Sequence, residues 1–504
     1  MLIPIERGAR EPVTKQIVEY IRRAIEAGRL GAGTKLDPIR VLARELGVNR
    51  ETVAGAYHEL EILGLTESTV GRGTFVLPRP DPAPAAAAVG GDGGRPFEPV
   101  LSRSVTAALG VSVLRAPHAV PAGAVHFDRL VPDASLVPRD EFRKALNRAL
   151  LKGGSQLYEY GDPRGLERLR RALVERLTRS GVECDADDVL ITAGSTQAFA
   201  IVARLFCDPG DTVVVESPTY PWACAALVSL GLHVSAVPVG NQGLDLDRLE
   251  AVLARGGVRL IYTMPTFHNP LGISTDLSHR RRLLELAARY AVPVIEDDFE
   301  KDLRLRGRGA PPLRALDTRG QVIYVSTFSK ALFPAARVGW LVAPRRITDA
   351  ALSVKRMMDI TSSGLLQAGL AQFLKEGSYD RHLRRVVREL AQRLAAAETA
   401  LEEFLPPGSH FVRPEGGYLI WVTLPETIDS YTLLTEVERA GAVYAPGQIF
   451  YPDARRSSAL RLCVSQASVE DIQRGVRVLG EVARAALPRR AGRATTRQAA
   501  TVQV

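Results

Sequence analysis

Lys330 ends the stretch Tyr324-Val325-Ser326-Thr327-Phe328-Ser329-Lys330, which runs on through Pro334 to Arg337 and Gly339. Gln321 to Val325 is β-branched and aromatic and reads as a buried strand. The lysine therefore stands just past a strand end, among hydroxyls, with an arginine a short way on. Arginine supplies most of the positive charge of this chain, so a lysine in that place is conspicuous. Desolvated, it would be a nucleophile suited to Schiff-base chemistry. In solvent it would be an ordinary loop residue, and this stretch alone leaves both readings open.

Further along the chain, other chemistry-bearing residues follow strand-like runs. Gly194-Ser195-Thr196-Gln197 opens a helix over 198–206, where free N–H groups and hydroxyls can cradle a phosphate or simply cap the helix. Glu216-Ser217-Pro218-Thr219-Tyr220 brings an aromatic ring able to stack on a flat ligand. His268-Asn269-Pro270-Leu271-Gly272 offers an amide beside a rigid turn. Glu296-Asp297-Asp298 places carboxylates at a strand end, where a buried aspartate needs a cationic partner and a protonated pyridine nitrogen would serve. Thr327, Ser329 and Arg337 add phosphate donors, and Arg461 can clamp a carboxylate with a bidentate fork. Each has an ordinary reading singly. Together they describe a site for pyridoxal 5′-phosphate (PLP): an amine, a pyridinium partner, a stacking ring and a phosphate cup. His268, Cys224 and Trp222 lie close by and read as core or rim packing.

The elements that must position these residues alternate between strand and helix over about 121–487, which predicts an α/β domain with a mainly parallel sheet. Its clearest strands are Val189–Thr192, Thr212–Glu216, Val258–Thr263, Pro293–Glu296 and Gln321–Val325. Ligands in such sheets bind beyond the carboxyl ends of the strands. Tyr379 to Phe404 reads as an amphipathic helix packing a small C-terminal subdomain, its arginines solvated.

Residues 1–78 have a different grammar. Helical stripes run over 12–27, 38–46 and 49–63, with Ala43, Gly47 and Val53 at the small, turn and apolar positions of a helix-turn-helix. Two short strands, 65–68 and 73–77, flank Val70-Gly71-Arg72 as a wing. The third helix would enter a major groove of double-stranded DNA, with Arg40, Asn49, Arg50 and Thr52 at helix starts and Arg72 on the wing facing it. A small helical interaction module is the alternative. Residues 79–120 are a Pro/Ala/Gly-rich linker whose last part could lie as an arm on the second domain, and 488–504 read as a disordered basic tail.

The head resembles the winged helix-turn-helix of the GntR family over "TKQIVEYIRRAIEAGRLGAGTKL", "LARELGVNRETVAGAYHELEILGL" and "GRGTFV". Asp37-Pro38-Ile39-Arg40 departs from that family's Pro-Ser-Ser/Thr-Arg, losing hydroxyls that would bond phosphate. The larger domain resembles the fold-type I aminotransferases, and the fusion resembles the MocR-type transcriptional regulators. The implied fold class is multi-domain: a mainly α winged helix-turn-helix plus an α/β fold-type I domain with a small C-terminal α/β subdomain. The resemblance implies Lys330 as the internal-aldimine lysine, Asp297 on the pyridine nitrogen, Asn269 near the phenolic oxygen and Tyr220 on the ring. It implies Ser195, Thr196, Thr327 and Arg337 around the phosphate, and Arg461 on the carboxylate of an amino-acid ligand. Tyr160 would reach the phosphate of the neighbouring subunit of a homodimer. Where the family commonly has Glu-Asp-Asp-Tyr, the fourth residue here is Phe299. Cofactor binding with poor transaminase turnover is therefore expected, in a regulator that senses PLP or an amino acid. An aminotransferase with an accessory N-terminal domain is the alternative.

Composition agrees. The 504 residues are 46% hydrophobic and 24% charged, with a net charge of +9, which suits a soluble, multi-domain protein. No apolar run is long enough to span a membrane and no signal peptide opens the chain. Four scattered cysteines form no metal-ligand or disulfide spacing, so a cytoplasmic location is expected.

Overall fold

A computed structural model describes residues 3, 5, 12–26, 30–31, 33–62, 65–69, 73–77, 101–109 and 120–487. Arg72 and the rest of the expected wing tip, most of the expected linker and the expected tail at 488–504 lie outside the described residues. The chain divides into two compact units, Met1–Glu98 and Pro99–Val504.

In the first unit, helix Val13–Glu26 turns Ile17, Val18, Ile21 and Ile25 onto a core shared with Leu42, Val53, Ala56, Tyr57 and Leu60. Helix Ile39–Leu46 stops at Gly47, whose φ of 61° is left-handed and sends its N–H back to the carbonyls of Ala43 and Arg44. Glycine takes that conformation without a Cβ penalty. The chain then enters helix Arg50–Ile62, with Val53 fully buried in the core it shares with Leu42 and Ala43. Strands Thr66–Thr69 and Gly73–Val76 pair antiparallel as the wing.

In the second unit, among the described residues, an eight-stranded sheet runs in the order Val189–Thr192, Gly339–Val342, Val322–Thr327, Val294–Asp297, Val258–Thr263, Thr212–Ser217, His233–Gly240, Gly243–Leu244. Its middle strands are parallel, while Gly339–Val342 is antiparallel to both neighbours. Alternation along each strand serves two cores. Ile323 and Val325 pack with the helix Ser195–Phe206 on one face, and Val322 packs with Leu249, Leu283 and Leu286 on the other. Both faces are covered, so these strands read as continuous apolar runs. Three strands run past their expected ends because the ladder continues: Val325 pairs with Asp297, Thr327 with Gly339 and Ser217 with Pro238. Asp297 and Thr327 are thus fixed as terminal strand residues.

A smaller antiparallel sheet, His410–Phe411, Leu419–Thr423, Ala459–Cys463 and Ala445–Pro446, packs under helices Ser378–Phe404 and Val469–Ala485. This is the α/β fold with a small C-terminal α/β subdomain expected from the sequence. Helix Arg103–Leu109 lies against helix Pro221–Ser229. Among the described residues, no helix is long and apolar enough to cross a membrane.

Candidate functional site

The carboxyl ends of the parallel strands open into a cavity of about 720 Å³. Six of the expected site residues line it, Ser195, Tyr220, Asn269, Asp297, Lys330 and Arg461, together with Trp222 and Phe299.

Lys330 follows the central strand, and its Nζ donates to the carbonyl of Leu130 at 2.8 Å. Tyr418 Oη donates to the Lys330 carbonyl at 3.1 Å, which fixes the backbone beneath the amine. Burial holds the amine below its ordinary pKa, against the pull of Glu300. That is the direction in which a lysine becomes nucleophilic near neutrality.

Asp297 ends the adjacent strand and is 8% exposed. Its Oδ2 accepts from Tyr262 Oη at 2.8 Å, while Oδ1 has no partner. Burial pushes the carboxyl up to about 7, with the Tyr262 bond pulling down. A buried carboxylate oxygen without a donor costs about 1–3 kcal/mol, and a pyridinium N–H supplies a donor and a charge together. Across the cavity, burial and the nearby Asp297 raise the Tyr220 phenol to about 12, so it stays protonated.

A second orphan is Arg461 Nε. The other two nitrogens are occupied, Nη1 by Asn269 Oδ1 at 3.1 Å and Nη2 by the carbonyl of Asp128 at 2.7 Å, with the guanidinium over the Phe450 ring. A buried guanidinium so held can take a carboxylate.

The turn into helix Ser195–Phe206 is shaped by two glycines. Gly194 has φ 98°, and a Cβ there would lie 2.8 Å from Arg337 Nη2. A Cβ on Gly339 would lie 2.6 Å from the Gly194 carbonyl carbon and 2.8 Å from Ser195 N. Only without both side chains can the helix N-terminus and the guanidinium draw together as an anion cradle. Arg337 Nη2 also donates to the Ala193 carbonyl at 2.7 Å. Gln197 accepts from Ala193 N at 2.7 Å and donates to Asp359, which in turn pairs with the fully buried Lys355.

Four expected cofactor residues stand outside the cavity lining. Thr196 and Arg337 are exposed at its rim. The Thr327 hydroxyl is turned into the strand, donating to the Val338 carbonyl at 3.1 Å. Tyr160 is 84% exposed on the outer surface. Sequence reading also passed over Tyr262, which holds Asp297, and Glu300, whose buried carboxyl is raised to about 7 and leaves Oε1 unpartnered. His268, read as packing, instead lies 3.1 Å from the buried Glu216 carboxylate. Phe299, the departure from the family pattern noted in the sequence, lines the cavity.

In the first unit, Asn49 precedes helix Arg50–Ile62 and accepts from Glu51 N at 3.3 Å. Arg40, Asn49 and Arg50 are exposed at helix starts, while Thr52 is half-buried.

The orphaned Asp297 oxygen, the buried lysine and the glycine-built cradle fit PLP. Residues 132–479 match the family described as aminotransferase class I and II, and residues 13–76 match the gntR family of bacterial regulatory proteins. The chain is 35% identical over 398 residues to the probable rhizopine catabolism regulatory protein MocR of Rhizobium meliloti, covering 78% of each. It is 28% identical to the HTH-type transcriptional regulator YdfD of Bacillus subtilis, over 95% of this chain and 98% of the relative. The kynurenine aminotransferase of Pyrococcus horikoshii, solved with PMP, superposes with a TM-score of 0.70 at 32% identity, over 78% of this chain and 96% of that one. PLP is the cofactor that this fold and this cavity call for. The chain belongs to the aminotransferase class I and II family and carries at its N-terminus a DNA-binding domain of the gntR family.

Proposed function

We propose that this protein is a ligand-responsive transcription regulator that binds double-stranded DNA through its head and PLP, or an amino acid reacting with it, through its larger domain. The observation that carries this reading is the joining in one chain of a helix-turn-helix with Arg40, Asn49 and Arg50 exposed and a cavity with Lys330 and Asp297 intact. An enzyme has no need of the first.

When bound, the cofactor supplies an aldehyde that condenses with primary amines. Lys330 offers the amine that holds it, Asp297 meets its ring nitrogen, Tyr220 covers its ring and Asn269 meets its phenolic oxygen. Ser195 takes the phosphate, with Thr196 and Arg337 beside it, while the Thr327 hydroxyl is spent on the Val338 carbonyl behind them. Arg461 takes the carboxylate of an amino-acid effector. Leu151, Tyr158, Tyr160, Met357 and Ile360 are 55–87% exposed. They sit on segments that pack around or adjoin helix Gly364–Lys375, and a second copy covering this apolar face would make the homodimer. In that dimer Tyr160 reaches the partner's cofactor. A DNA-reading head fits a protein that works at the chromosome, in the cytoplasm.

A working aminotransferase with an accessory head is the second reading, favoured by the gathering of Tyr220, Asn269, Asp297 and Lys330 in one cavity. Phe299 weighs against it, because no phenol there helps to tune the cofactor. Mobility shift on the DNA upstream of the protein's own gene, with and without PLP and an amino-acid panel, separates the two. A regulator binds in a salt-dependent manner and changes affinity with ligand, and does so differently as Lys330→Ala. No binding, or binding indifferent to every ligand, rejects the regulatory reading.

A further inference from the structure

The loop that carries Asn269 is tied to the sheet by a contact that the cofactor set does not use. Glu216 and His268 are 2% and 1% exposed. Glu216 Oε1 accepts from Thr263 Oγ1 at 2.6 Å, and its carboxylate also takes the N–H of Met264, at 3.0 Å through Oε2. His268 Nε2 stands 3.1 Å from Oε2, somewhat off the line of an ideal hydrogen bond. His268 Nδ1 accepts from Leu271 N at 3.4 Å, which assigns the ring proton to Nε2, on the carboxylate side.

The backbone of this turn is closed on itself. His268 N donates to the Ile273 carbonyl at 2.8 Å, and the His268 carbonyl accepts from Gly272 N at 2.6 Å. Its side chain is therefore what reaches across to Glu216, at the end of the strand that leads to Tyr220. A buried His–Glu contact is no better for stability than apolar packing, so its placement asks for another explanation. Next in sequence, Asn269 Oδ1 receives Arg461 Nη1 at 3.1 Å. Glu216 thus meets the His268 side chain, His268 is joined through the backbone to Asn269, and the Asn269 carboxamide meets the guanidinium.

We infer that Glu216 and His268 are a positioning pair for the cofactor and carboxylate sites, holding Asn269 and Arg461 at a set distance from the Tyr220 wall. Neither residue touches the ligand; they act as supporting groups behind the residues that do. The inference rests on the cofactor reading proposed above.

Its test is the Kd for PLP of the full-length protein, read by visible absorbance, in a cycle with Asn269→Ala. His268→Phe, which keeps a flat ring but loses the donor, should weaken PLP roughly tenfold, and Glu216→Gln should act in the same direction. His268→Gln keeps a donor and should stay within about threefold of wild type. In the Asn269→Ala background, His268→Phe should cost nothing further, because the group it positions is gone. Unchanged binding by His268→Phe, or a loss that adds in full to that of Asn269→Ala, overturns the inference. If circular dichroism shows His268→Phe unfolded, His268→Asn, too short to reach Glu216, replaces it with the same expectations. A wild-type protein that binds no PLP rejects the cofactor reading itself, a result distinct from binding with additive losses.

Discussion

Two residues decide what the site can do, and both have consequences that can be measured. Burial raises Asp297 to about 7 from an ordinary 3.8. Between those values the folded, cofactor-free protein keeps a proton that the unfolded chain has lost, so stability falls as pH rises from about 4 to about 7. Glu296 and Glu300, each also raised to about 7 by burial, add in the same sense. Asp297→Asn removes one of these ionisations. Without cofactor it should melt higher than wild type at pH 8, by about 1–3 kcal/mol of stability, and show little gain at pH 4. It should also lose PLP affinity by about a hundredfold, since no charge remains for the ring nitrogen. Thermal melts at the two pH values and a cofactor titration check both halves. Phe299 is the other deciding residue, 8% exposed and lining the cavity. Phe299→Tyr adds a hydroxyl without new carbon volume and should raise the half-reaction rate with the best amino-acid donor by roughly tenfold. An unchanged rate would mean that turnover is limited elsewhere.

At the scale of elements, the sequence disclosed most where strand and helix alternate. Ser195, Tyr220, Asn269, Asp297 and Lys330 each follow or end a β-rich run, and a parallel sheet gathers such ends in one place. Contacts carried by side chains that resemble ordinary core or ordinary surface stayed illegible. Tyr262 looks like one more aromatic in a strand, yet it holds Asp297. Val125–His126 pairs with Ala442–Val443 over two residues, too few for any periodicity to show. Arg280 sits in an arginine-rich helix, where nothing in the sequence sets it apart, yet it is fully buried. It donates to the carbonyls of Pro265 at 2.7 Å and Pro311 at 2.9 Å and to the Thr266 hydroxyl at 2.9 Å. It therefore staples both legs of the Asn269 loop, through Pro265 and Thr275, to helix Leu277–Arg289. Arg280→Met should cost about 3–5 kcal/mol, since the Pro311 and Thr275 carbonyls lose a donor and the buried Glu296 loses a cation that opposes the rise of its pKa. Arg280→Lys should rescue only part, as a point charge cannot span the same acceptors. Urea unfolding measures the loss, and equal stability of all three proteins would show the staple to be dispensable.

At the scale of the whole molecule, the cofactor cavity and Tyr160 pose one question together. Tyr160 is 84% exposed and does not line the cavity of its own chain, and Tyr158 and Leu151 are exposed as well. A tyrosine that serves the cofactor from there must do so across an interface, and the resulting dependence has an arithmetic. In the proposed dimer, Lys330→Ala would remove the amine from its own cavity and leave Tyr160 intact for the partner's. Tyr160→Phe does the reverse. Each variant alone should bind PLP poorly, at either of its two equivalent sites. Unfolded together in equal amounts and refolded, half of the dimers should be mixed, and each mixed dimer carries one cavity with both residues and one with neither. About a quarter of all cavities should then recover wild-type affinity and the absorbance of lysine-bound cofactor. If Tyr160 acted within its own chain, or not at all, mixing would restore nothing. Because the heads ride on the same subunits, the refolded mixture also reports on DNA. Once separated from the homodimers, mixed dimers hold one occupied cavity, so a mobility shift intermediate between those of cofactor-free and cofactor-loaded wild type would mean that the heads respond to each cavity in turn. A shift identical to the loaded wild type would mean that one occupied cavity suffices to set both heads.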